Sequence, residues 1–250
     1  MEKEFHKKTL SRINNSFSDS PSTIPSHVAV IMDGNRRWAS GKRMPIFSGH
    51  KAGTRNIKDL LALMIDLDIS FLTLFAFSTE NWNRPENEVN YITKILLPES
   101  LAENFEDLHK MGVKILIKGS VEKLDNKLRK KILNAVSKTE NNNKISLIIA
   151  FDYGGRKEII NAIKKILDED LLQSDINEAE FAKYLDSDGI PDPDLIIRTG
   201  GEYRLSNFLI WQSAYSEFYT SKVLWPDFGI MDLSEALIEY SKRIRRFGIQ

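Results

Sequence analysis

Residues His27–His50 read HVAVIMDGNRRWASGKRMPIFSGH. The first part, His27 to Met32, is a continuous apolar run, and it stops at Asp33-Gly34-Asn35. A short apolar run closed by turn residues is the pattern of a strand covered on both faces, as in a parallel sheet flanked by helices. Arg36, Arg37 and Trp38 follow at once. An isolated Asp-Gly-Asn is most often an ordinary polar turn. One acid, two turn-permissive residues and two cations directly after a buried strand also describe a loop that holds an anion, with a metal.

Working outward, similar runs recur at Phe71 to Phe77, Val113 to Lys118, Ile145 to Phe151, Asp194 to Arg198 and Asn207 to Trp211. Helical patterns lie between them. His50 to Leu67 places Leu60, Leu61, Met64 and Ile65 on one side. Glu86 to Met111 is a long helical stretch in which Pro98 predicts a kink, because proline removes a helix hydrogen bond and clashes with the preceding turn. Val121 to Glu140, Gly155 to Leu167 and a basic terminal stretch, Asp232 to Phe247, complete the helices. The segments TENNNK and DSDGIPDPD read as loops. The alternation predicts one α/β domain with a largely parallel central sheet flanked by helices, residues 26–250. Residues 1–25, rich in Ser and Asn, are expected to form a mobile lead-in.

The chain has 250 residues and 42% hydrophobic content, enough for a sizeable core. With 35 basic and 35 acidic residues it has no global bias toward nucleic acid or anionic membrane, so a cationic site must be local. Cysteine is absent, which excludes disulfides, thiolate metal sites and a cysteine nucleophile and suits a reducing compartment, the cytoplasm. No apolar stretch approaches a membrane span, so membrane contact is expected to be peripheral.

The unusual polar residues follow the strands, on the side where open parallel sheets bind ligands. Beside Asp33 to Trp38 they are Ser78-Thr79-Glu80-Asn81-Trp82-Asn83-Arg84-Pro85 and Arg198 to Ser206. Arg37, Arg84, Arg198 and Arg204 thus come from three distant segments, and arginine forks match phosphate oxygens. Gly34 and Gly200-Gly201 let backbone N–H groups approach an anion. Taken singly, each has a plainer reading: a solvated arginine, a glycine turn, a packed tryptophan, a histidine at a helix start. Asp33 among the arginines, with Glu217 after the last apolar run, would suit Mg²⁺ together with phosphate oxygens. Neither G-x-x-x-x-G-K-[ST] nor G-x-G-x-x-G after a strand occurs, and YGGRKE at Tyr153–Glu158 carries no nucleotide signature. The residues alone indicate an α/β enzyme acting on a diphosphate.

At these positions the sequence resembles the cis-prenyltransferase (isoprenyl transferase) family, nearest its bacterial undecaprenyl diphosphate synthases. The matching strings are HVAVIMDGNRRWA, GHKAG, LTLFAFSTENWNRP, DLIIRTGGEYRLSNFLIWQSAYSEFY, LWPDF and the terminal RRFG, in family order. No D-D-x-x-D pair of the trans-prenyltransferases is present. The resemblance implies condensation of isopentenyl diphosphate onto an allylic diphosphate, farnesyl diphosphate, with cis double bonds and loss of pyrophosphate. It implies an undecaprenyl product, a Mg²⁺ cofactor and a homodimer peripheral to the membrane.

By the same resemblance Asp33 handles Mg²⁺ and departure of the allylic pyrophosphate, and Gly34, Asn35, Arg36, Arg37 and Trp38 form the diphosphate loop. His50 and Arg84 are further allylic contacts, and Ser78, Thr79, Glu80 and Trp82 line the substrate. Asn81 assists proton removal. Arg198, Arg204 and Ser206 bind isopentenyl diphosphate, and Glu217 is a Mg²⁺ ligand near a dimer interface. Arg246-Phe247-Gly248 resembles an element reaching toward a partner subunit. Ile46 stands where some relatives carry an arginine, with Arg43 nearby as a substitute, and Tyr203 where some carry a metal-binding histidine. A growing chain also needs an apolar tunnel. EVNYITKILLPESLAENFEDL and the Leu-rich helix before the second strand are its candidate walls, or plain core. A short-chain synthase and a non-catalytic partner subunit remain open, although Asp33, Arg37, Arg198 and Arg204 speak against the latter.

Overall fold

The first apolar run forms β1 (His27–Ile31), buried at every residue. In the computed structural model, which describes residues 2–18, 20, 22–169 and 171–244, it sits inside a six-stranded sheet of order β3-β4-β2-β1-β5-β6. The others are β2 (Phe71–Ser78), β3 (Val113–Gly119), β4 (Ile145–Tyr153), β5 (Leu195–Arg198) and β6 (Glu217–Thr220). Every pairing is parallel. From β1 the chain runs to β2 on one side and later returns to place β5 on the other. The strand order therefore reverses at β1, and the crevice beyond the carboxyl ends of β1 and β5 is a topological switch point. The register sets Ile31 opposite Arg198 at that edge.

The helices are α1 (Glu2–Ser18), α2 (Asn35–Gly41), α3 (Ile46–Gly53), α4 (Asn56–Asp66), α5 (Glu86–Tyr91), α6 (Leu97–Lys110), α7 (Asn126–Thr139), α8 (Gly155–Asp168), α9 (Glu178–Lys183) and α10 (Ile230–Ser241). Alternate strand residues divide the core. Val28, Val30, Leu72, Leu74 and Ile197 pack on one face with Leu60, Leu61 and Met64 of α4 and Leu233 and Leu237 of α10. Ala29, Ile31, Ala150 and Ile196 face the other way, against Phe208 and Leu209.

Four expectations change. Residues 2–18, read as part of a mobile lead-in, form α1, which packs on α10 with Ile13 fully buried. Its apolar residues recur at helical spacing between polar ones, a signal masked by Ser and Asn. The sixth strand is not Asn207–Trp211. Positive φ at Ser206 (50°), Asn207 (67°) and Leu209 (45°) is incompatible with a strand. That run is apolar because Phe208 and Leu209 cover the sheet, and β6 begins ten residues later at Glu217. The break in the long helical stretch is a π turn, Ile92–Leu96, between α5 and α6, with Pro98 in the first turn of α6. Leu96, before α6, is itself helical (φ −62°, ψ −48°), so the helix runs on through Pro98 and the wider π turn takes up its missing N–H. Finally, α10 ends at Ser241, and residues 245–247 of the expected basic helix lie outside the described residues.

His27 fixes the start of β1 from inside the core. Its Nδ1–H donates to the Pro191 carbonyl at 2.7 Å, so Nε2 accepts from Thr73 Oγ1 at 2.8 Å. Burial outweighs the Pro191 hydrogen bond and the charge of Asp194, and lowers the imidazole from its ordinary 6.5 to about 4. The unfolded chain takes up a proton near pH 6.5 whereas the folded chain does not until about 4. The His27 contribution to stability is therefore complete above 6.5 and is lost as pH falls toward 4, by roughly 3 kcal/mol. Urea unfolding from pH 7 to 4 is expected to show this slope, and His27→Gln is expected to flatten it.

Candidate active site

Asp33 leaves the end of β1 with its backbone held on both sides. Its carbonyl accepts from Thr199 Oγ1 at 2.6 Å and from the Trp225 N–H at 3.0 Å. Its carboxylate accepts from Arg198 Nη2 at 2.8 Å and lies 3.2 Å from Arg37 Nη2. Burial alone would raise this carboxyl. The Arg198 hydrogen bond and the charges of Arg198 and Arg37 prevail and hold it below the usual carboxylate range. Arg198, only 4% exposed, also donates through Nη1 to Ser206 Oγ at 2.8 Å and to the Arg204 carbonyl. Arg37 donates to the Gly200 carbonyl at 2.8 Å. Two glycines make these approaches possible. Gly34 (φ 114°) precedes α2, whose first turn has no side-chain cap, so its N–H groups are left for an anion. Gly200 (φ 83°) lies where a Cβ would be 2.4 Å from Arg37 Nη2.

Two arginines and a histidine gather on Glu88, 3% exposed. Arg84 Nη1 donates to it at 3.0 Å, His50 Nε2 lies at 3.3 Å and Arg36 Nη1 at 3.9 Å. Burial lowers the His50 imidazole, Glu88 opposes that effect, and Arg84 and Arg36 reinforce it. Sequence reasoning missed Glu88. The signal was its place in the first turn of α5, four residues after the extended Arg84, but its burial is a tertiary fact.

Both groups line the mouth of one cavity of about 650 Å³. Asp33, Gly34, Asn35, Arg36, Arg37, His50, Ser78, Asn81, Arg84, Arg198 and Ser206 contribute to it. Behind the mouth its walls are apolar: Ile57 of α4, Leu97, Leu101 and Phe105 of α6, Ile132 and Ala135 of α7, and Leu147 and Ile149 of β4. The expected wall on α6 is therefore a wall, whereas Leu60, Leu61, Leu63 and Met64 of α4 are core, and only Ile57 and Lys58 of that helix reach the cavity. Arg43 does not line the cavity, whereas Arg36 does.

Trp38, Thr79, Glu80, Trp82 and Arg204, expected at the site, do not line the cavity. Trp38 donates to Asp227 Oδ1 at 2.7 Å and lies under Lys42. Trp82 packs edge-on against Phe77 and donates to Asp152 at 2.8 Å. In the 3-10 turn Thr79–Asn83, the Asn81 Oδ1 accepts from the Ser78 N–H at 3.1 Å, which closes a capping box. Glu80 accepts from Asn207 Nδ2 at 2.9 Å. Burial would raise Glu80, but the hydrogen bonds from Asn207, its own N–H, Ser78 and Thr79 lower it. Arg204, with an exposed side chain, pairs with Glu202 at 2.6 Å. Glu217 is not brought to Asp33 within one chain. It is level with Leu195 at the far end of the sheet, paired with Arg243 at 2.9 Å, while Asp33 follows the opposite end. Among the described residues no three His, Cys, Asp or Glu side chains form a metal cluster.

A cationic crevice that opens into an apolar tunnel, at the switch point of a parallel sheet, defines an enzyme that handles a diphosphate carrying a hydrocarbon tail. The comparisons agree. The family model described as "Putative undecaprenyl diphosphate synthase" matches residues 31–248, and the chain belongs to this prenyltransferase family. It is an enzyme of cis-prenyl chain elongation. It is 45% identical to an isoprenyl transferase of Clostridium perfringens over 90% of both chains. It is 44% identical to the farnesyl-diphosphate-specific ditrans,polycis-undecaprenyl-diphosphate synthase of Legionella pneumophila, over 90% of this chain and 96% of that one. Among solved structures, lavandulyl diphosphate synthase from Lavandula x intermedia with dimethylallyl diphosphate has a TM-score of 0.85 at 35% identity, covering 90% of this chain and 98% of that one.

Gly200→Ala tests the mouth. An L-residue at this φ costs about 1–2 kcal/mol, and the added methyl displaces Arg37. Urea unfolding is expected to show that loss, and calorimetry with inorganic pyrophosphate is expected to show binding weakened by about tenfold.

Proposed function

We propose that the chain extends farnesyl diphosphate with isopentenyl diphosphate units, with Mg²⁺, to undecaprenyl diphosphate. The observation that carries this reading is the continuity of the cationic mouth with the deep apolar cavity, which suits a fixed diphosphate head and a lengthening tail. A short-chain product would leave much of this apolar lining unused. The farnesyl-diphosphate specificity and undecaprenyl product in the name of the Legionella relative support both the substrate and the product.

In each cycle the allylic C–O bond breaks and its electron pair leaves with pyrophosphate. The double bond of isopentenyl diphosphate attacks the allylic carbon, and a proton is lost. Arg36, His50 and Arg84 hold the allylic diphosphate, while Arg198, Arg204 and Ser206 hold the isopentenyl diphosphate. Arg37 and the uncapped N–H groups stabilise the charge that develops on the leaving group. Asn81, a neutral amide fixed by Ser78, orients the condensing unit while a phosphate oxygen takes the proton. Asp33 fits Mg²⁺: it is a hard oxygen donor held ionised at the mouth, and Mg²⁺ is commonly bound by one or two carboxylates plus substrate phosphates. When bound, the ion would neutralise negative charge on the departing pyrophosphate. The reading includes a homodimer that brings Glu217 to the site of a second copy. It also includes peripheral contact of the enzyme with the lipid surface that receives its long apolar product.

The test is incorporation of radiolabelled isopentenyl diphosphate with farnesyl diphosphate and Mg²⁺, with products sized after dephosphorylation. A Mg²⁺-dependent ladder ending at the undecaprenyl length is expected. Absence of incorporation with farnesyl, geranyl and dimethylallyl diphosphate would overturn the reading. Asp33→Ala is expected to remain folded by circular dichroism and to lose at least about 100-fold in kcat. Arg204→Ala is expected to raise KM for isopentenyl diphosphate about tenfold and KM for farnesyl diphosphate much less. Equal rises would refute the division into two subsites.

A further inference from the structure

The residue that joins the two halves of the site is Asn207, which has no assigned part in the reaction. The 3-10 turn carrying Asn81 follows β2, and the loop carrying Arg204 and Ser206 follows β5. No strand pairing connects β2 with β5. Asn207 spans the gap. Its Nδ2 donates to Glu80 Oε1 at 2.9 Å, next to Asn81. Its Oδ1 accepts from the Arg156 N–H at 2.9 Å and its carbonyl from the Gly155 N–H at 2.7 Å, at the start of α8. Its neighbour Ser206 holds Arg198.

Two further observations concern the same residue. Ser206 and Asn207 both have left-handed backbone, φ 50° and 67°, a conformation that asparagine tolerates better than most residues. Gly154 is extended (φ −163°), so backbone geometry does not require glycine there. Space does: a Cβ at 154 would lie 2.7 Å from both Asn207 Nδ2 and Thr79 Oγ1. Gly154, the first glycine of YGGRKE, thus admits the Asn207 side chain to the turn that carries Asn81.

We propose that Asn207 is a positioning residue that locks the Asn81 turn to the Ser206–Arg198 loop, so that isopentenyl diphosphate meets its orienting amide at a fixed separation. The allylic cations on Glu88 lie outside this linkage. The inference rests on the proposed division of the two diphosphates.

Asn207→Gly keeps the left-handed backbone without strain and removes only the side-chain bridge, and Gly154→Ala obstructs the bridge while leaving Asn207 in place. In steady-state assays with farnesyl and isopentenyl diphosphates, both variants are expected to raise KM for isopentenyl diphosphate and to lower kcat, each by about tenfold or more. KM for farnesyl diphosphate is expected to stay within about twofold, which a general loss of structure would not spare. The melting temperature of Asn207→Gly is expected to stay within a few degrees of wild type. Unchanged kinetics in both variants, or equal rises in both KM values with a lowered melting temperature, overturns the assignment while wild type remains active. Wild-type protein that incorporates no isopentenyl unit overturns the functional reading, and the assignment falls with it.

Discussion

The pairing of Asp33 with Arg198 is the constraint on which the site depends. A guanidinium with 4% exposure must have acceptors, and Arg198 finds them in Asp33, Ser206 and the Arg204 carbonyl. One side chain therefore fixes the loop after β1 against the loop after β5, at the place where the strand order reverses. Removing one partner of such a pair leaves a buried charge uncompensated, a loss of up to about 3 kcal/mol. The same pairing keeps Asp33 ionised at the mouth of the cavity, so the interaction that closes the sheet edge also sets the charge of the reacting centre.

A second acid completes the design. Like charges about 4 Å apart repel by about 4 kcal/mol at an effective dielectric of 20, so a cluster of bare cations would scatter into solvent. Asp33 gathers Arg37 and Arg198, and Glu88 gathers Arg36, His50 and Arg84. The donors are thus in place before a diphosphate arrives, which spares the reorganisation that weakens electrostatic stabilisation. The apolar cavity runs inward from between these groups. Head and tail are recognised by different physics, charge at the mouth and exclusion of water behind it.

Much of this was legible in the chain. Parallel strands buried on both faces leave continuous apolar runs, which located β1 to β5. The polar residues that close them located the mouth. The failures have specific causes. Asn207–Trp211 is as apolar as a strand because it caps a sheet face, and of its left-handed residues only Asn207 is of a type that favours that conformation. Trp38 and Trp82 stand in the signature segments but do not line the cavity, supporting α2 and the Asn81 turn instead. Glu88 and Asn207 looked like ordinary polar residues, and Gly154 like one more turn glycine.

The sequence by itself determined the α/β class, the acid and arginines after β1, the cations after β2 and β5, and the family. These are local properties: periodicity, turn chemistry and strings of adjacent residues. Only the tertiary structure decided that α1 belongs to the core, that Glu88 gathers two arginines and His50, that Glu217 stands away from Asp33 in one chain, and that Asn207 bridges two loops. Each depends on which segments meet at a sheet edge. Hydrogen bonds and ion pairs between residues more than a hundred positions apart, such as Asn207 with Glu80 or Arg198 with Asp33, leave no periodic trace in a single chain.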